Sequence, residues 1–250
     1  MVGGGGKTTA LCLLAQEVAA PARRVVATTT TAMLLRELAQ TGPVVMAASL
    51  PELLAGSKKA LAQGGSAGAA FGPGENGKVV GLPVGWVDEL WADAAPDYMI
   101  VEADGSRGRP LKAFGPHEPQ VPAATTTVVQ VAGLDALDAS LTEEYVHRAG
   151  LLAAALNVPL GSVITTHVFA GCLREQWRVL RQRWPGTRMV TVLNKADGPD
   201  EQVAGPHLAG ELLAMPGGKS ERPTWDRGPD SIVVGSLRER RFLRVCRSGG

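Results

Sequence analysis

A glycine run at the start of the chain is made of the residue types that bind phosphate. Glycine permits the positive φ angles that turn backbone N–H groups towards one centre, where they hold phosphate oxygens. A lysine directly after such a run supplies charge for the β and γ phosphates, and a threonine hydroxyl is a ligand for Mg²⁺. The candidate phosphate-binding residues are Gly3, Gly4, Gly5, Gly6, Lys7, Thr8 and Thr9.

The spacing of this loop departs from the commonest phosphate-loop pattern. G-x-x-x-x-G-K-[ST] requires glycine six residues before the lysine, where this chain has Met1. The shorter pattern G-x-x-G-K-T, from Gly3 to Thr8, is the one that fits. Because only Met1 and Val2 precede the glycines, we expect a truncated first strand. A flexible glycine-rich terminus is the alternative interpretation.

A second motif, Asn194-Lys195-Ala196-Asp197, follows an apolar run at 189–193. It matches N-K-x-D, the guanine-reading motif of P-loop GTPases, in which the Asp carboxylate accepts hydrogen bonds from the N1–H and 2-amino groups of guanine. Adenine has an acceptor at N1 and no 2-amino group, so the carboxylate would be left partly unpaired. We expect the stem of Lys195 to lie along the base and Asn194 to tie this loop to the glycine loop. Chance occurrence of so short a motif is the alternative.

Two carboxylates follow the buried strand predicted at 98–101. An acidic residue at the end of such a strand holds Mg²⁺, directly or through water, in many nucleotide-binding proteins. Glu102 is the candidate metal ligand together with Thr8, and Asp104 is the candidate to orient an attacking water. With Lys7, these carboxylates form the predicted catalytic set. A bend at Gly105 set up by Asp104 is the structural alternative.

Several other polar clusters allow two interpretations. Three cations, Arg107, Arg109 and Lys112, suit either an anionic ligand or a solvated loop. The threonines at 28–31 suit either Mg²⁺-bound water and the γ-phosphate or a cap on the next helix.

Two further groups are expected to have no ligand. His117 with Glu118, and His167 with Cys172, lack a second ligand pair at metal-site spacing, so structural roles are favoured. A solvated tail is expected for the C-terminal arginines, Arg238, Arg240, Arg241, Arg244 and Arg247.

The elements that must position these residues alternate along the chain. Apolar strand-like runs and helical segments follow one another, which predicts an α/β fold with a mostly parallel sheet flanked by helices. We expect one P-loop NTPase-like domain over 1–250, with helices at 9–20, 143–156 and 173–184. The arginines of the last helix are expected to be solvated. A glycine- and alanine-rich segment at about 63–77 is expected to be a flexible surface loop or hairpin.

The composition excludes several classes of protein. Of 250 residues, 45% are hydrophobic and 20% are charged, which suits a sizeable core and a solvated surface. The net charge of +1 argues against nucleic-acid binding through the overall field. No apolar run reaches the roughly 20 residues of a membrane span, and no signal peptide is evident. The three widely separated cysteines suggest reduced thiols and a cytoplasmic location.

Several segments together resemble the YqeC family. They are the glycine loop with Lys7 and the two following threonines, the Thr28–Thr31 run, 101–112, 117–119, 133–137 and 194–197. Members are described as selenium-dependent molybdenum hydroxylase accessory proteins or selenium cofactor biosynthesis proteins. The resemblance implies a P-loop NTPase fold, a role in maturing a selenium-containing molybdenum hydroxylase, and that enzyme as a possible protein partner. The segment 102–112 is its most specific part.

These observations lead to three hypotheses of function. The first is a Mg²⁺-dependent nucleoside triphosphatase that favours GTP over ATP and assists cofactor assembly. The second is an ATP-dependent ligase or kinase, because the short loop is similar to that of Mur-type amide ligases; Arg107, Arg109 and Lys112 would hold its anionic substrate. The third is a nucleotide-gated scaffold or chaperone with slow turnover. The N-K-x-D motif favours the first.

Overall fold

The computed structural model describes residues 1–19, 23–214 and 228–247, and the chain divides into two compact units. The first unit consists of Met1, Lys7–Gly105 and Glu118–Thr125; the second consists of Val2–Gly6, Ser106–His117 and Thr126–Gly250. Because segments of the two units alternate along the chain, neither unit is one continuous stretch of the sequence.

The first unit contains a parallel sheet and a small antiparallel one. Its strands are β2 (Val25–Thr29), β3 (Met33–Leu34), β4 (Val44–Met46), β5 (Ser66–Ala70), β6 (Gly72–Pro73), β7 (Lys78–Val80) and β8 (Tyr98–Glu102). Its helices are α1 (Lys7–Val18), α2 (Leu35–Leu38), α3 (Leu50–Gly64) and α4 (Val84–Ala94), with a 3₁₀ turn at Ala39–Thr41. The parallel sheet has the order β4-β5-β2-β8, and the antiparallel sheet has the order β3-β7-β6.

Helices cover both faces of the parallel sheet. Successive side chains of a strand point to opposite faces, and β2 follows this rule. Val25 and Ala27 pack with α1 through residues such as Leu11. Val26 belongs to the opposite cluster, with Leu53 of α3 and residues of α4. Burial on both faces explains why β2 is apolar almost throughout.

The second unit is built on a five-stranded sheet. Its strands are β1 (Val2–Gly3), β9 (Leu111–Lys112), β10 (Thr127–Gly133), β11 (Val146–His147), β12 (Arg188–Asn194), β13 (Ser231–Ser236) and β14 (Arg241–Arg247). Its helices are α5 (Ala149–Leu156), α6 (Thr166–Arg183) and α7 (Pro199–Ala214), with a 3₁₀ turn at Leu134–Ala136. The sheet order is β1-β10-β12-β13-β14, parallel except for the antiparallel β14, while β9 pairs separately with β11.

A buried polar network fixes α6 against this sheet. Gln130 of β10 donates to Gln176 Oε1 over 2.8 Å and accepts from Trp177 Nε1 over 2.6 Å. Thr191 of β12 also donates to Gln130 Oε1 over 2.8 Å. Since buried polar groups are costly unless paired, these bonds specify one register of α6 on the sheet.

Strand register brings the candidate residues to the carboxyl ends of the strands. In the first unit, Thr29 of β2 lies opposite Glu102 of β8. In the second unit, Gly3 lies opposite Val131, and Gly133 lies opposite Asn194. Ligands of open α/β sheets bind outside such strand ends.

The mostly parallel sheets flanked by helices confirm the predicted α/β fold class. The first strand is short, as expected, with 2 residues. The prediction of a loop over 63–77 is wrong for Ser66–Ala70, which form the buried strand β5; the hairpin alternative holds for β6 and β7.

Three predicted helices have different bounds. The first begins at Lys7, not at residue 9, and its predicted end at residue 20 lies outside the described residues. The segment 143–156 is helical only from Ala149. The helix predicted at 173–184 spans Thr166–Arg183. In that helix Arg181 is buried and pairs with Asp230, which corrects its assignment to a solvated face.

No described helix combines the length and apolar character that crossing a membrane requires.

Two of the three cysteine thiols are expected to resist alkylation in the native protein. Burial raises the pKa of the Cys172 thiol to about 12 and that of Cys12 to about 11, so almost no thiolate forms at pH 8. Cys246 is half-buried. We therefore expect mass spectrometry after iodoacetamide treatment at pH 8 to find label on Cys246 alone, and on all three cysteines after denaturation. Rapid native labelling of Cys172 would contradict this.

Candidate functional site

In the first unit, a lysine and two carboxylates are buried beside one another. Lys7 begins α1, Glu102 ends β8, and Asp104 follows two residues later. Lys7 Nζ lies 3.3 Å from Asp104 Oδ1. The exposed fractions of Lys7, Glu102 and Asp104 are 3%, 6% and 0%. When ionised, these three side chains carry one positive and two negative charges, and the buried N-terminal ammonium of Met1 also interacts with both carboxylates.

Glu102 is held in a specific orientation by Thr8. Burial raises the pKa of the Glu102 carboxyl above its usual range, because a desolvated carboxylate loses its hydration. The charge of Lys7 and a hydrogen bond from Thr8 act in the opposite direction. Thr8 Oγ1 donates to Glu102 Oε2 over 2.7 Å.

The Thr8 and Glu102 oxygens fit a magnesium ion. Mg²⁺ binds oxygen octahedrally at about 2.0–2.1 Å, which places neighbouring ligand oxygens roughly 2.9 Å apart. The 2.7 Å between Thr8 Oγ1 and Glu102 Oε2 is close to that spacing. Within the described ranges, no group of three or more His, Cys, Asp or Glu residues is placed to hold a metal. Phosphate and water would therefore complete the set, as is usual for Mg²⁺.

In the second unit, the glycine loop lies against the ends of neighbouring strands. Gly4 N–H donates to Val131 O and Gly5 N–H donates to Arg109 O, each over 2.9 Å. These two amides are thus engaged by carbonyls. In the first unit, Lys7, Thr8 and the exposed Thr9 lie in the first turn of α1. The N–H groups of a first helical turn have no partner within the helix.

Alanine at position 5 is expected to destabilise the fold by roughly 2–4 kcal/mol. Gly5 has a φ of +68°, and a Cβ at this position would lie 2.1 Å from Gly133 N. Urea denaturation of Gly5→Ala measures the loss. Gly210→Ala is the matched control, because Gly210 lies inside α7 with nothing within 4 Å of the added Cβ; it should raise the free energy of unfolding by up to about 1 kcal/mol. Equal stability of Gly5→Ala and wild type would contradict the prediction.

The side-chain amide of Asn194 connects three segments of the second unit. Asn194 Nδ2 donates to Gly5 O over 2.6 Å, so the expected tie to the glycine loop is present. Asn194 Oδ1 accepts from Leu237 N over 2.8 Å. Both ends of the amide are therefore used, which fixes this loop at the end of β12.

The two charged residues of the N-K-x-D motif each have a partner outside it. Lys195 Nζ lies 2.6 Å from Asp135 Oδ2. Asp197 Oδ2 lies 3.3 Å from an Nη of Arg238. Asp197 Oδ1 is buried and has no hydrogen-bond partner among the described residues. N–H donors of a ligand could bond to this oxygen.

The three cations after Asp104 are not equivalent. Lys112 is completely buried, and its ammonium lies 5.9 Å from the centre of the Phe114 ring. Arg109 donates to the backbone oxygens of Glu143 and Arg107, each over 2.8 Å. Arg107 is exposed. Of the three, Arg107 is the cation most accessible to an anionic ligand.

The threonines at 28–31 hold strands and turns together. Thr28 Oγ1 donates to Ala69 O over 2.8 Å, and Thr29 Oγ1 donates to Glu102 O over 3.1 Å. Helix α2 begins after Leu34 without a side-chain cap. The capping alternative is therefore wrong, because β3 intervenes between the threonines and α2.

Sequence reasoning missed two residues of this neighbourhood. Arg238 was assigned to a solvated tail, but it lies in the turn between β13 and β14 and pairs with Asp197. Arg241 also contacts the motif, donating to Ala196 O over 3.2 Å. Asp135 carried a weak signal, as an acidic residue directly beyond the end of β10. His167 is exposed, whereas Cys172 is buried.

Comparison with known proteins gives one family. The family model described as YqeC protein matches residues 1–150, a range that contains Lys7, Thr8, Glu102 and Asp104 and ends before Asn194. "Uncharacterized protein YqeC" of Escherichia coli (strain K12) is 31% identical over 172 residues, which are 67% of this chain. The match spans 62% of that relative's length. No solved structure has significant similarity to the chain.

Proposed function

The chain belongs to the YqeC family, and on that premise we propose that it is a Mg²⁺-dependent nucleoside triphosphatase that favours GTP. The observation that carries the proposal is the buried cluster of Lys7, Thr8, Glu102 and Asp104. A lysine ammonium, a hydroxyl and two carboxylates at the start of a helix and the end of a parallel strand suit phosphate with its metal.

Each residue of the cluster has a proposed task. Lys7 exchanges its contact with Asp104 for the β and γ phosphates. Thr8 and Glu102 hold Mg²⁺, which when bound would offset negative charge on the phosphate oxygens. Asp104 holds Lys7 in place and, once phosphate has taken the ammonium, is the candidate to orient the attacking water.

The preference for GTP rests on the second unit. Asp197 has an unsatisfied carboxylate oxygen, which suits the paired N–H donors of guanine. Lys195 is held by Asp135, so its stem has a defined direction along which a base can lie. Asn194 adds a bond to Gly5, which links base recognition to the phosphate loop.

Calorimetric titration with GTP and ATP, each with and without Mg²⁺, tests the proposal. We expect GTP to bind at least about tenfold more tightly than ATP, since a carboxylate that faces an acceptor instead of two donors costs about 1.4 kcal/mol or more. Mg²⁺ should tighten triphosphate binding. If neither nucleotide binds, the nucleotide role is wrong. Equal affinities for GTP and ATP would reject the base preference alone.

The place of this activity in the cell follows from the family resemblance. We propose that hydrolysis assists maturation of a selenium-dependent molybdenum hydroxylase. Stimulation of slow basal hydrolysis by an apo-hydroxylase would support the maturation role, and the absence of any interaction would argue against it.

The ligase or kinase alternative is disfavoured, because Lys112 is fully buried and Arg109 is engaged by backbone carbonyls.

A further inference from the structure

Arg238 forms an ion pair with Asp197, the carboxylate that is proposed to recognise the base. An Nη of Arg238 lies 3.3 Å from Asp197 Oδ2, and the side chains of Arg238 and Asp197 are 77% and 32% exposed. The other oxygen, Asp197 Oδ1, is buried and has no hydrogen-bond partner among the described residues. One oxygen thus faces a cation, while the second accepts no hydrogen bond from a described residue.

The turn that carries Arg238 is anchored to the motif loop through its backbone and through Arg241. Three hydrogen bonds of 2.8–3.2 Å join them: Leu237 N to Asn194 Oδ1, Ala196 N to Gly235 O, and Arg241 Nη2 to Ala196 O. The side chain of Arg238, by contrast, is mostly exposed. It can leave Asp197 by changing rotamer, without movement of the turn.

We propose that Arg238 is a gate on the base site, which the Watson–Crick edge of a guanine base displaces. The inference rests on the proposed function, because it takes Asp197 as the base-reading carboxylate. Guanine presents two parallel N–H donors, which satisfy both oxygens of Asp197, including the one that Arg238 leaves unpaired. Adenine presents an acceptor at N1, so it gains nothing from displacing a guanidinium. Arg238 thereby lowers the affinity of the site for guanine by the cost of breaking its ion pair with Asp197.

The ion pair of Arg238 with Asp197 is expected to lower the affinity for guanine nucleotides by a small factor. Ion pairs between exposed side chains change an equilibrium constant by up to about fivefold. Because the apparent Kd scales inversely with the open fraction, the gate should weaken guanine-nucleotide binding about two- to fivefold. The effect should appear in the association rate, since the site must open before the base enters.

Stopped-flow binding of a ribose-labelled fluorescent GDP tests the gate in the full chain. The variants are Arg238→Ala and Arg238→Gln, the second of which keeps most of the stem but removes the charge. Arg188→Ala is the matched control, because Arg188 is an exposed arginine at the start of the seven-residue strand β12, opposite the end that carries Asn194. Any lost arginine weakens binding of an anion through the overall field, and this control measures that effect.

Both Arg238 variants are expected to bind about two- to fivefold more tightly than Arg188→Ala, through faster association and unchanged dissociation. With labelled xanthosine diphosphate in an Asp197→Asn background, removal of Arg238 should change binding no more than removal of Arg188 does, since asparagine carries no charge for Arg238 to pair with. Weaker binding or faster dissociation of the Arg238 variants would overturn the gate and make Arg238 a contact of the bound nucleotide. Rates equal to those of Arg188→Ala would overturn the gate but not the proposed function. Absence of guanine-nucleotide binding in every protein would overturn the proposed function and the gate with it.

Discussion

Replacement of Glu102 by glutamine is expected to lower the kcat of Mg²⁺-dependent hydrolysis by about 100- to 1,000-fold. The amide keeps the length of the side chain and can still accept the hydrogen bond from Thr8. It lacks the negative charge that makes a carboxylate a strong ligand for Mg²⁺. Phosphate release at saturating GTP, titrated with Mg²⁺, measures the loss.

The same substitution should not destabilise the protein. Glu102 is buried, and burial already raises the pKa of its carboxyl, so removing its charge also removes a desolvation cost. Urea denaturation at pH 7 should give a free energy of unfolding at least equal to that of wild type. Glu89→Gln is the matched control, because Glu89 is exposed on α4, and it should change neither quantity. Hydrolysis by Glu102→Gln within a few-fold of wild type would exclude Glu102 as the metal ligand.

Replacement of Asp197 by asparagine is expected to shift base preference from guanine towards xanthine by about 100-fold or more. Asparagine can accept from the N1–H of either base, but its NH₂ group faces the 2-amino donor of guanine. Xanthine has a carbonyl oxygen at that position, which accepts from the same NH₂ group. The ratio of kcat/KM for GTP and xanthosine triphosphate reports the shift.

An acidic residue nearby provides the control for this swap. Asp200 is exposed near the start of α7, so Asp200→Asn makes the same change of charge without the proposed contact with the base. Its preference for GTP should remain that of wild type. If wild type and Asp197→Asn both use ATP with no preference for GTP, Asp197 does not read the base.

The apolar strands were predictable from the sequence, whereas β5 was not. Runs such as 98–101 and 189–193 are short and apolar, as strands of a sheet covered on both faces are. Ser66–Ala70 instead have the composition of a loop. They form a strand because small side chains are needed there: a Cβ on Gly68 would lie 2.9 Å from Leu38 Cγ and 3.1 Å from Val44 Cγ2. Such a requirement comes from neighbours distant in sequence, so local composition does not contain it.

The candidate residues could be selected from the sequence, whereas their contacts could not. Residue types alone pointed to Lys7, Glu102 and Asp197, because few side chains suit phosphate, metal or guanine. The contact of Lys7 with Asp104 and that of Asp197 with Arg238 join residues far apart in the chain. The hydrogen bonds from the amides of Gly4 and Gly5 to the carbonyls of Val131 and Arg109 also join residues far apart in the chain. These pairings depend on tertiary placement, which spacing along the chain does not encode.

The side chain of Asn194 connects the glycine loop with the turn after β13. It donates to Gly5 O at one end and accepts from Leu237 N at the other. Aspartate would have no donor for Gly5 O, and leucine would have neither a donor nor an acceptor. We therefore expect position 194 to tolerate almost no substitution. The glycine loop and the turn after β13 are therefore joined through one rigid planar group. We therefore expect a displacement of that turn to shift the backbone of Gly5, because both segments are hydrogen-bonded to the same amide.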